Sequence, residues 1–210
     1  MPVITAIHPA RRRPHYLEVE IDGEAVGALP ERELGRLGLT VGQSIDPVSL
    51  EALRATAALA AALSLANGYL AHRPRSEAEV RRRLGQAGFD VPAIDAAVES
   101  LTAKGLLDDT RFAALWVESR SSFSPRSAQT LGRELRQKGV DRDQIDAVLA
   151  SAGTDDAALA LDAGRKRLRS YGSLDEAAFR QRMSGYLMRR GFGYEVVRAA
   201  VEILWTEHGT

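Results

Sequence analysis

The sequence predicts a mainly α-helical protein. We expect three tandem three-helix repeats, similar to helix-turn-helix units, in an elongated curved array that follows a small antiparallel β segment. A glycine-centred apolar pattern recurs with offsets of 51 and then 52 residues, around Gly88, Gly139 and Gly191. Residues 2–29 instead have the β-branched content and alternation of strands. From Asp46 onward, capping signals precede one helical segment after another.

The recurring pattern places apolar residues 8 and 4 positions before each glycine, and 1, 6, 9 and 10 positions after it. This spacing predicts an amphipathic helix that ends at the glycine, a short turn and a second amphipathic helix. A repeat of this kind is typical of a binding scaffold, in which each unit contacts mainly its neighbours. In the first copy the six apolar residues are Val80, Leu84, Phe89, Ile94, Ala97 and Val98.

The N-terminal segment predicts two or three short strands and a helix. Residues 3–7 are rich in β-branched side chains, and residues 16–21 alternate apolar with acidic. Asp22-Gly23 between two such runs is typical of a two-residue hairpin turn. A short helix should begin at Pro30 and end near Gly35 or Gly38. Because an isolated hairpin is marginal in water, this segment should pack on the helices that follow.

Capping signals divide the rest of the chain into helices. Ser76 and Glu79 form a Ser-x-x-Glu capping box, and Asp108-Asp109 places carboxylates at the start of the second repeat. Ser124-Pro125 predicts an N-cap with proline at the first helical position, and Ser173 with Glu176 predicts another capping box. The predicted domains are 1–45 for the β segment with its short helix, then repeats at 46–107, 108–153 and 154–210.

Composition bounds the class of protein. The 210 residues include 28 basic and 28 acidic side chains, so any nucleic-acid contact must depend on local patches. Residues 157–210 are the most basic part, with nine basic against six acidic side chains. The absence of cysteine excludes disulfides and thiolate metal sites and fits a reducing cytosol. No secretory signal is visible, and the apolar stretch at 55–63 is too short to span a bilayer.

The sequence contains no recognisable catalytic, cofactor or metal site. The four histidines have neither metal-ligand spacing nor a neighbouring acidic cluster. Asp108 and Asp109 are adjacent and do not face each other on a helix, so capping explains them better than catalysis. No Gly-x-Ser-x-Gly elbow or phosphate-binding glycine loop occurs. We therefore predict a protein that is not an enzyme.

Clusters of basic residues are the stronger candidates for function. Such runs are usually solvated helix faces, but their recurrence near the second helix of repeats one and three also fits a binding stripe for an acidic partner or a phosphate backbone. The clusters are Arg11–Arg13, Arg73 with Arg75, Arg81–Arg83, Arg165–Arg167 with Arg169, and Arg189-Arg190.

Three stretches of the sequence are similar to motifs of one known protein family. Gly68 to Val80 is similar to the family's opening pattern, in which Arg-x-Arg-Ser precedes an acidic and then an apolar residue. Gly105-Leu106-Leu107-Asp108-Asp109-Thr110-Arg111-Phe112-Ala113 resembles its most distinctive run. Arg133 to Val140 matches the element with Glu-Leu, two residues and Lys-Gly-Val. Together these stretches resemble the RecX family of RecA regulators. Residues 60–150 show the resemblance best, and a shorter match lies around Leu187 to Phe192.

The resemblance implies a cytoplasmic, monomeric protein without catalytic activity or cofactor, which functions in DNA recombination, DNA repair and the SOS response. Similar proteins bind the RecA–single-stranded-DNA filament in its helical groove and lower its ATP hydrolysis and strand exchange. Weak binding to single-stranded DNA is left open, and no membrane contact is implied. The candidate partner-binding residues are Arg73, Arg75, Arg81, Arg82, Arg111, Arg120, Arg189 and Arg190.

Two other functions remain open from the residues alone. One is a DNA-binding regulator that uses a helix-turn-helix unit, since each repeat has that outline. The other is a helical-repeat scaffold for an unrelated protein. Salt-dependent duplex binding would favour the first, and capture of a partner other than the recombinase would favour the second.

Overall fold

The computed structural model describes residues 1–11 and 13–208. Within them the chain forms a short three-stranded sheet followed by helices, as predicted. The elements are β1 (Ile4–Pro9), β2 (Tyr16–Ile21), β3 (Glu24–Pro30), α1 (Glu31–Leu37), α2 (Pro47–Leu70), α3 (Glu77–Gln86), α4 (Val91–Ala103), α5 (Asp109–Phe123), α6 (Ala128–Gln137), α7 (Arg142–Ser151), α8 (Asp156–Tyr171), α9 (Glu176–Arg189) and α10 (Tyr194–His208).

The sheet is antiparallel in the order β1-β2-β3. Asp22 and Gly23 connect β2 to β3 with φ values of +51° and +85°, the left-handed pair that a type I′ hairpin turn requires. The inner face of the sheet buries Ile4, Val19 and Leu29 completely. These side chains share one apolar cluster with residues of α1 and α2, so the β segment packs on the helices as predicted.

Helix α2 belongs to two apolar clusters. Its first half buries Leu53 and Ala57 against the sheet, and its second half buries Ala62 and Ala66 with α3 and α4. The approach to β3 is close, because a Cβ added at Gly27 would lie 2.8 Å from the Ala57 Cβ. By length and composition alone α2 could span a membrane, and 22% of its most apolar stretch is buried, in the two clusters described above.

The three repeats are α2–α4 (repeat 1), α5–α7 (repeat 2) and α8–α10 (repeat 3). The turn glycines Gly88, Gly139 and Gly191 have φ values of +88°, +83° and +89°. In repeat 1 the Phe89 N–H donates to the Leu84 carbonyl at 3.3 Å, and the same bond recurs in the other two repeats at 3.1 and 3.4 Å. This is the Schellman arrangement, which requires a left-handed residue, so the glycine C-caps are confirmed.

The repeated apolar positions form the three helical cores. All eighteen are buried except Phe89, Ile94 and Leu149, which are half-buried. The two residues that precede each turn by eight and four positions are completely buried in every repeat. The period of the sequence pattern therefore identified the inward faces of both helices in each pair.

Two predicted N-caps are wrong. Helix α6 is capped by Ser127, whose Oγ accepts the Thr130 N–H at 3.2 Å, and not by Ser124. Ser124 is instead the C-cap of α5, and as the residue before a proline it is kept out of helical geometry. Helix α9 is capped by Asp175, whose carboxylate accepts the Ala178 N–H at 2.8 Å. The Ser76–Glu79 capping box is present as predicted.

The chain divides into two compact units. Unit 1 is Met1–Leu107 and contains the sheet, α1 and repeat 1; unit 2 begins at Asp108 and contains repeats 2 and 3. Within unit 2 the repeats are joined directly. The Asp156 carboxylate at the start of α8 accepts the Ala128 N–H at the start of α6, at 2.8 Å. Lys166 of α8 donates to the Ser122 carbonyl at 2.6 Å.

Candidate partner-binding surface

The predicted arginines of repeat 1 have different environments. Arg73 forms an ion pair with Glu79 at 3.1 Å, and the Glu79 side chain is only 8% exposed. Arg81 donates to Glu77 at 2.6 Å and to Asp95 of α4 at 2.5 Å, so it ties the two helices of the pair together. These two hydrogen bonds raise the pKa of Arg81 above its ordinary value, the bond to Glu77 more strongly. Both arginines therefore have structural contacts.

Arg75 and Arg82 have no ion pair with any described residue. The Arg75 guanidinium lies over the Tyr69 ring, 4.0 Å from its centroid, and its Nε is buried. Arg82 is exposed on α3. Of the remaining basic clusters, Arg12 lies outside the described residues.

Arg120 belongs to a network that joins α5 to α6. The Glu134 carboxylate accepts hydrogen bonds from Arg120 Nε at 3.0 Å and from Trp116 Nε1 at 2.9 Å. Arg126 adds a third donor to the same carboxylate at 2.5 Å. The Arg120 guanidinium also lies over the Trp116 ring, 4.5 Å from its centroid. A carboxylate that is 15% exposed and bound by three donors holds the two helices in register.

Arg190 joins repeat 3 to repeat 2. Its guanidinium donates to the Ser124 Oγ at 3.0 Å and to the Pro125 carbonyl at 2.9 Å. It also lies over the Tyr186 ring at 4.6 Å, and the Arg190 carbonyl accepts the Ser127 N–H at 3.2 Å. Its neighbour Arg189 is exposed and has no ion pair with a described residue.

Arg111 is exposed in the first turn of α5, where its backbone N–H donates to Asp108 at 2.9 Å and its guanidinium has no partner among the described residues. The structure therefore sorts the eight predicted arginines into two groups. Arg82, Arg111 and Arg189 are exposed and unpaired within the described residues. The others stack on aromatic rings or bind groups of the chain itself; they are Arg73, Arg75, Arg81, Arg120 and Arg190.

Exposed arginines without ion pairs to described residues recur on the first helix of each helix pair. There are six such arginines among the described residues, and four of them were not among the predicted partner contacts: Arg83, Arg133, Arg136 and Arg182. Arg133 could have been predicted by aligning the repeats on their turn glycines, because Arg133 and the predicted contact Arg82 both lie six residues before the glycine. The set is Arg82 and Arg83 on α3, Arg133 and Arg136 on α6, and Arg182 and Arg189 on α9.

The second helix of each pair has the opposite character. Helix α4 contains Asp95 and Glu99 and no basic residue. In α7 the single arginine lies 3.6 Å from Asp146, and in α10 Arg198 donates to Glu195 at 2.7 Å. Since phosphate backbones bind cations, these helices are poorly suited to enter a DNA groove.

No metal site is present among the residues that the structure describes, since no three of their histidines and carboxylates come together. The acidic pair at the start of α5 serves the helix terminus. Asp108 is the N-cap and accepts the Arg111 N–H, and Asp109 lies in the first turn. This is the capping role that the sequence predicted.

Family models match all three repeats. The first, second and third three-helix domains of RecX match residues 62–101, 108–149 and 154–201. The chain belongs to the RecX family. The matched segments coincide with the three glycine-centred copies, so the resemblance seen in the sequence extends over the third repeat as well.

Relatives in several bacteria are similar over most of their length. Regulatory protein RecX of Amycolatopsis mediterranei is 35% identical over 67% of this chain and 81% of its own. The protein of the same name from Lactobacillus johnsonii is 28% identical over 97% of this chain and 75% of its own. A crystal structure of regulatory protein RecX superposes with a TM-score of 0.70 at 23% identity, over 96% of this chain and 100% of that one. The family supports a regulatory role.

Proposed function

We propose that this protein binds the RecA–single-stranded-DNA filament and lowers its ATPase and strand-exchange activity, thereby modulating DNA recombination and repair. It acts in the cytoplasm as a monomer. The observation that carries the proposal is the set of exposed arginines on the first helix of each helix pair, that is on α3, α6 and α9. Contacts spread over three repeats suit a partner that is itself a repeating polymer, because several modest contacts then add up.

Arg82, Arg111 and Arg189 are the proposed direct contacts, because their guanidinium groups are exposed and have no ion pair within the described chain. Arg73, Arg81, Arg120 and Arg190, which bind groups of the chain itself, would act mainly by holding the repeats in shape. The acidic second helices argue against a helix-turn-helix regulator that reads duplex DNA.

An ATPase assay tests the proposal. RecA on single-stranded DNA is titrated with this protein, and we expect ATP hydrolysis to fall in a saturable manner. The combined variant Arg82→Ala, Arg111→Ala and Arg189→Ala should need about tenfold more protein for half-inhibition. Three exposed charge contacts of about 0.5 kcal/mol each add to about 1.5 kcal/mol, and a tenfold change in affinity corresponds to about 1.4 kcal/mol.

The matched control removes three exposed arginines that pair only with acids close by in the sequence, Arg32, Arg54 and Arg142. It carries the same change of net charge and should inhibit like the wild type. No inhibition by the wild type at several-fold excess over RecA would contradict the proposed function. Equal loss in both triple variants would show that only net charge matters.

A further inference from the structure

Arg75 and Arg126 occupy the same position in repeats 1 and 2, one residue before the serine that caps the next helix. In both, the guanidinium Nε is buried and has no hydrogen-bond partner. The backbone around them is alike, because Ser76 and Ser127 both accept an N–H three residues on, at 3.2 Å. The two repeats therefore place an arginine at the same backbone position.

Repeat 2 satisfies its arginine with an internal carboxylate. Arg126 binds Glu134, which also accepts hydrogen bonds from Arg120 and Trp116. Glu134 lies five residues before the turn glycine. The cluster is closed, with the acid only 15% exposed.

Repeat 3 has an aromatic ring at the position that Glu134 occupies in repeat 2. Tyr186 also lies five residues before its glycine, and it is 9% exposed. Arg190 and Arg167 lie over its face, 4.6 and 5.2 Å from the centroid. An aromatic face attracts cations, so here too the position holds a group that receives arginines.

Repeat 1 breaks this pattern, because the position that corresponds to Glu134 holds Arg83. Neither Arg83 nor Arg75 has an ion pair or a side-chain hydrogen bond with a described residue. Tyr69 corresponds to Arg120 of repeat 2, and the Arg75 guanidinium lies over its ring, 4.0 Å from the ring centroid. The nearby acid Glu79 is bound by Arg73 and by the Ser76 N–H.

The Arg75 guanidinium is oriented to bind an anionic oxygen of another molecule. Stacking on Tyr69 and burial of Nε fix the plane of Arg75, and a planar guanidinium binds a carboxylate through two parallel hydrogen bonds. When the repeats are aligned on their glycines, Arg83 adds a second positive charge at the position where repeat 2 has a negative one. An arriving anion would therefore meet two cations without displacing an internal acid.

We propose that Arg75 and Arg83 form an acceptor site for an acidic side chain of the partner protein, which takes the place that Glu134 holds in repeat 2. A carboxylate is favoured over a phosphate because repeat 2 builds the same arginine position around a carboxylate. The identification of the partner as the RecA filament rests on the proposed function. The existence of the acceptor site is inferred from the structure alone.

The test is Arg83→Glu, which restores in repeat 1 the charge that repeat 2 has. The introduced carboxylate should bind Arg75 and close the site. The melting temperature should rise above that of the wild type, and the rise should vanish in the Arg75→Gln background. This readout needs no partner. A melting temperature that is unchanged, or that changes equally in both backgrounds, would overturn the proposed geometry.

Binding gives the second readout. By fluorescence anisotropy, Arg83→Glu should weaken binding to RecA assembled on labelled single-stranded DNA by about tenfold relative to Arg32→Glu, a control with the same charge change at a 90% exposed side chain. Arg75→Lys, which retains the charge but loses the planar fork, should weaken it several-fold. Binding to the bare oligonucleotide should change no more than in the control.

The outcomes separate the two proposals. No binding of the wild type to the filament would contradict the proposed function, while the melting experiment would still decide the site. Wild-type binding that Arg83→Glu leaves equal to the control would overturn the acceptor site. An equal loss on bare single-stranded DNA would identify the occupant as a phosphate and refute the assignment to a carboxylate.

Discussion

The turns of repeats 1 and 3 share one backbone geometry but have different neighbours. Gly88 has a φ of +88° and a Cβ added there would meet no atom within 4 Å. Gly191 has a φ of +89°, and the added Cβ would lie 1.9 Å from Thr130 Oγ1 and 2.8 Å from Ser127 Oγ. The same sequence signal therefore serves one function in repeat 1, a helix end, and two in repeat 3, a helix end and a joint with repeat 2.

The joint explains why repeats 2 and 3 behave as one unit. Gly191 seats the turn of repeat 3 against the start of α6, and Arg190 binds the Ser124–Pro125 segment beside it. Conformation alone would make Gly88 and Gly191 equally sensitive to substitution. Packing should make Gly191 more sensitive than Gly88, and the following variants measure this difference in stability.

The largest effect is expected for Gly191→Ala. A left-handed alanine costs about 1 kcal/mol, and the overlap with Thr130 should add about 1–3 kcal/mol because a packed neighbour must move. Chemical denaturation should show the free energy of unfolding lowered by about 2–4 kcal/mol. Thr130→Ala should recover part of this loss in a double-mutant cycle. A cost no larger than that of Gly88→Ala would contradict the joint.

Arg190→Ala should rank second. It removes hydrogen bonds of a charged donor to Ser124 and Pro125 and the contact with the Tyr186 ring, which together suggest a loss of about 2 kcal/mol. The adjacent Arg189→Ala is a matched control, because Arg189 is exposed and unpaired within the described chain. It should change stability by less than about 0.5 kcal/mol. Similar losses in both would remove Arg190 from the joint.

Gly88→Ala should cost about 1 kcal/mol, the conformational penalty without the overlap. Gly88→Asn should cost less, because asparagine tolerates the left-handed region better than alanine. Thermal denaturation of both variants measures the difference. If Gly88→Ala were as damaging as Gly191→Ala, the turn of repeat 1 would also have to be a packed contact.

The smallest effect concerns charge. In repeat 3, Arg165 of α8 binds Glu207 of α10 at 2.6 Å and holds the pKa of that carboxyl below its usual value. A lowered pKa contributes stability at neutral pH that is lost as the pH falls through that value. Glu207→Gln should therefore melt slightly below the wild type at pH 7, and the gap should close towards pH 3.

The control for this prediction is Glu118→Gln, since Glu118 is exposed and has no ion pair with a described residue. It should show no such closing gap. Repeat 1 offers a contrast, because α2 and α4 have no ion pair between them within the described residues. A gap for Glu207→Gln that does not depend on pH would indicate that the pair contributes through packing.

The sequence predicted the local features better than the contacts between elements. The turn glycines, the hairpin at Asp22-Gly23 and the Ser76 capping box all depend on a few neighbouring residues, and all are present. The N-cap of α6 was misplaced because two serines lie three residues apart, and the choice of Ser127 depends on where α5 ends.

The arginines show the same limit more strongly. Nothing near Arg120 in the sequence reveals that Glu134 binds it, because that acid lies fourteen residues away on another helix. Arg190 is likewise satisfied by a segment more than sixty residues earlier. Clusters of arginine could be located from the sequence, but which members are exposed is decided by tertiary pairing.

Helix α2 has a consequence for how unit 1 unfolds. This one helix contributes side chains both to the cluster of the sheet and to the core of repeat 1, and Gly27 of the sheet packs closely against Ala57 near the middle of the helix. A helix of 24 residues shared in this way should make the two regions exchange their amide hydrogens as one cooperative group. The β segment would then act as a stabilising cap on the first repeat, with its folding linked to that of the scaffold.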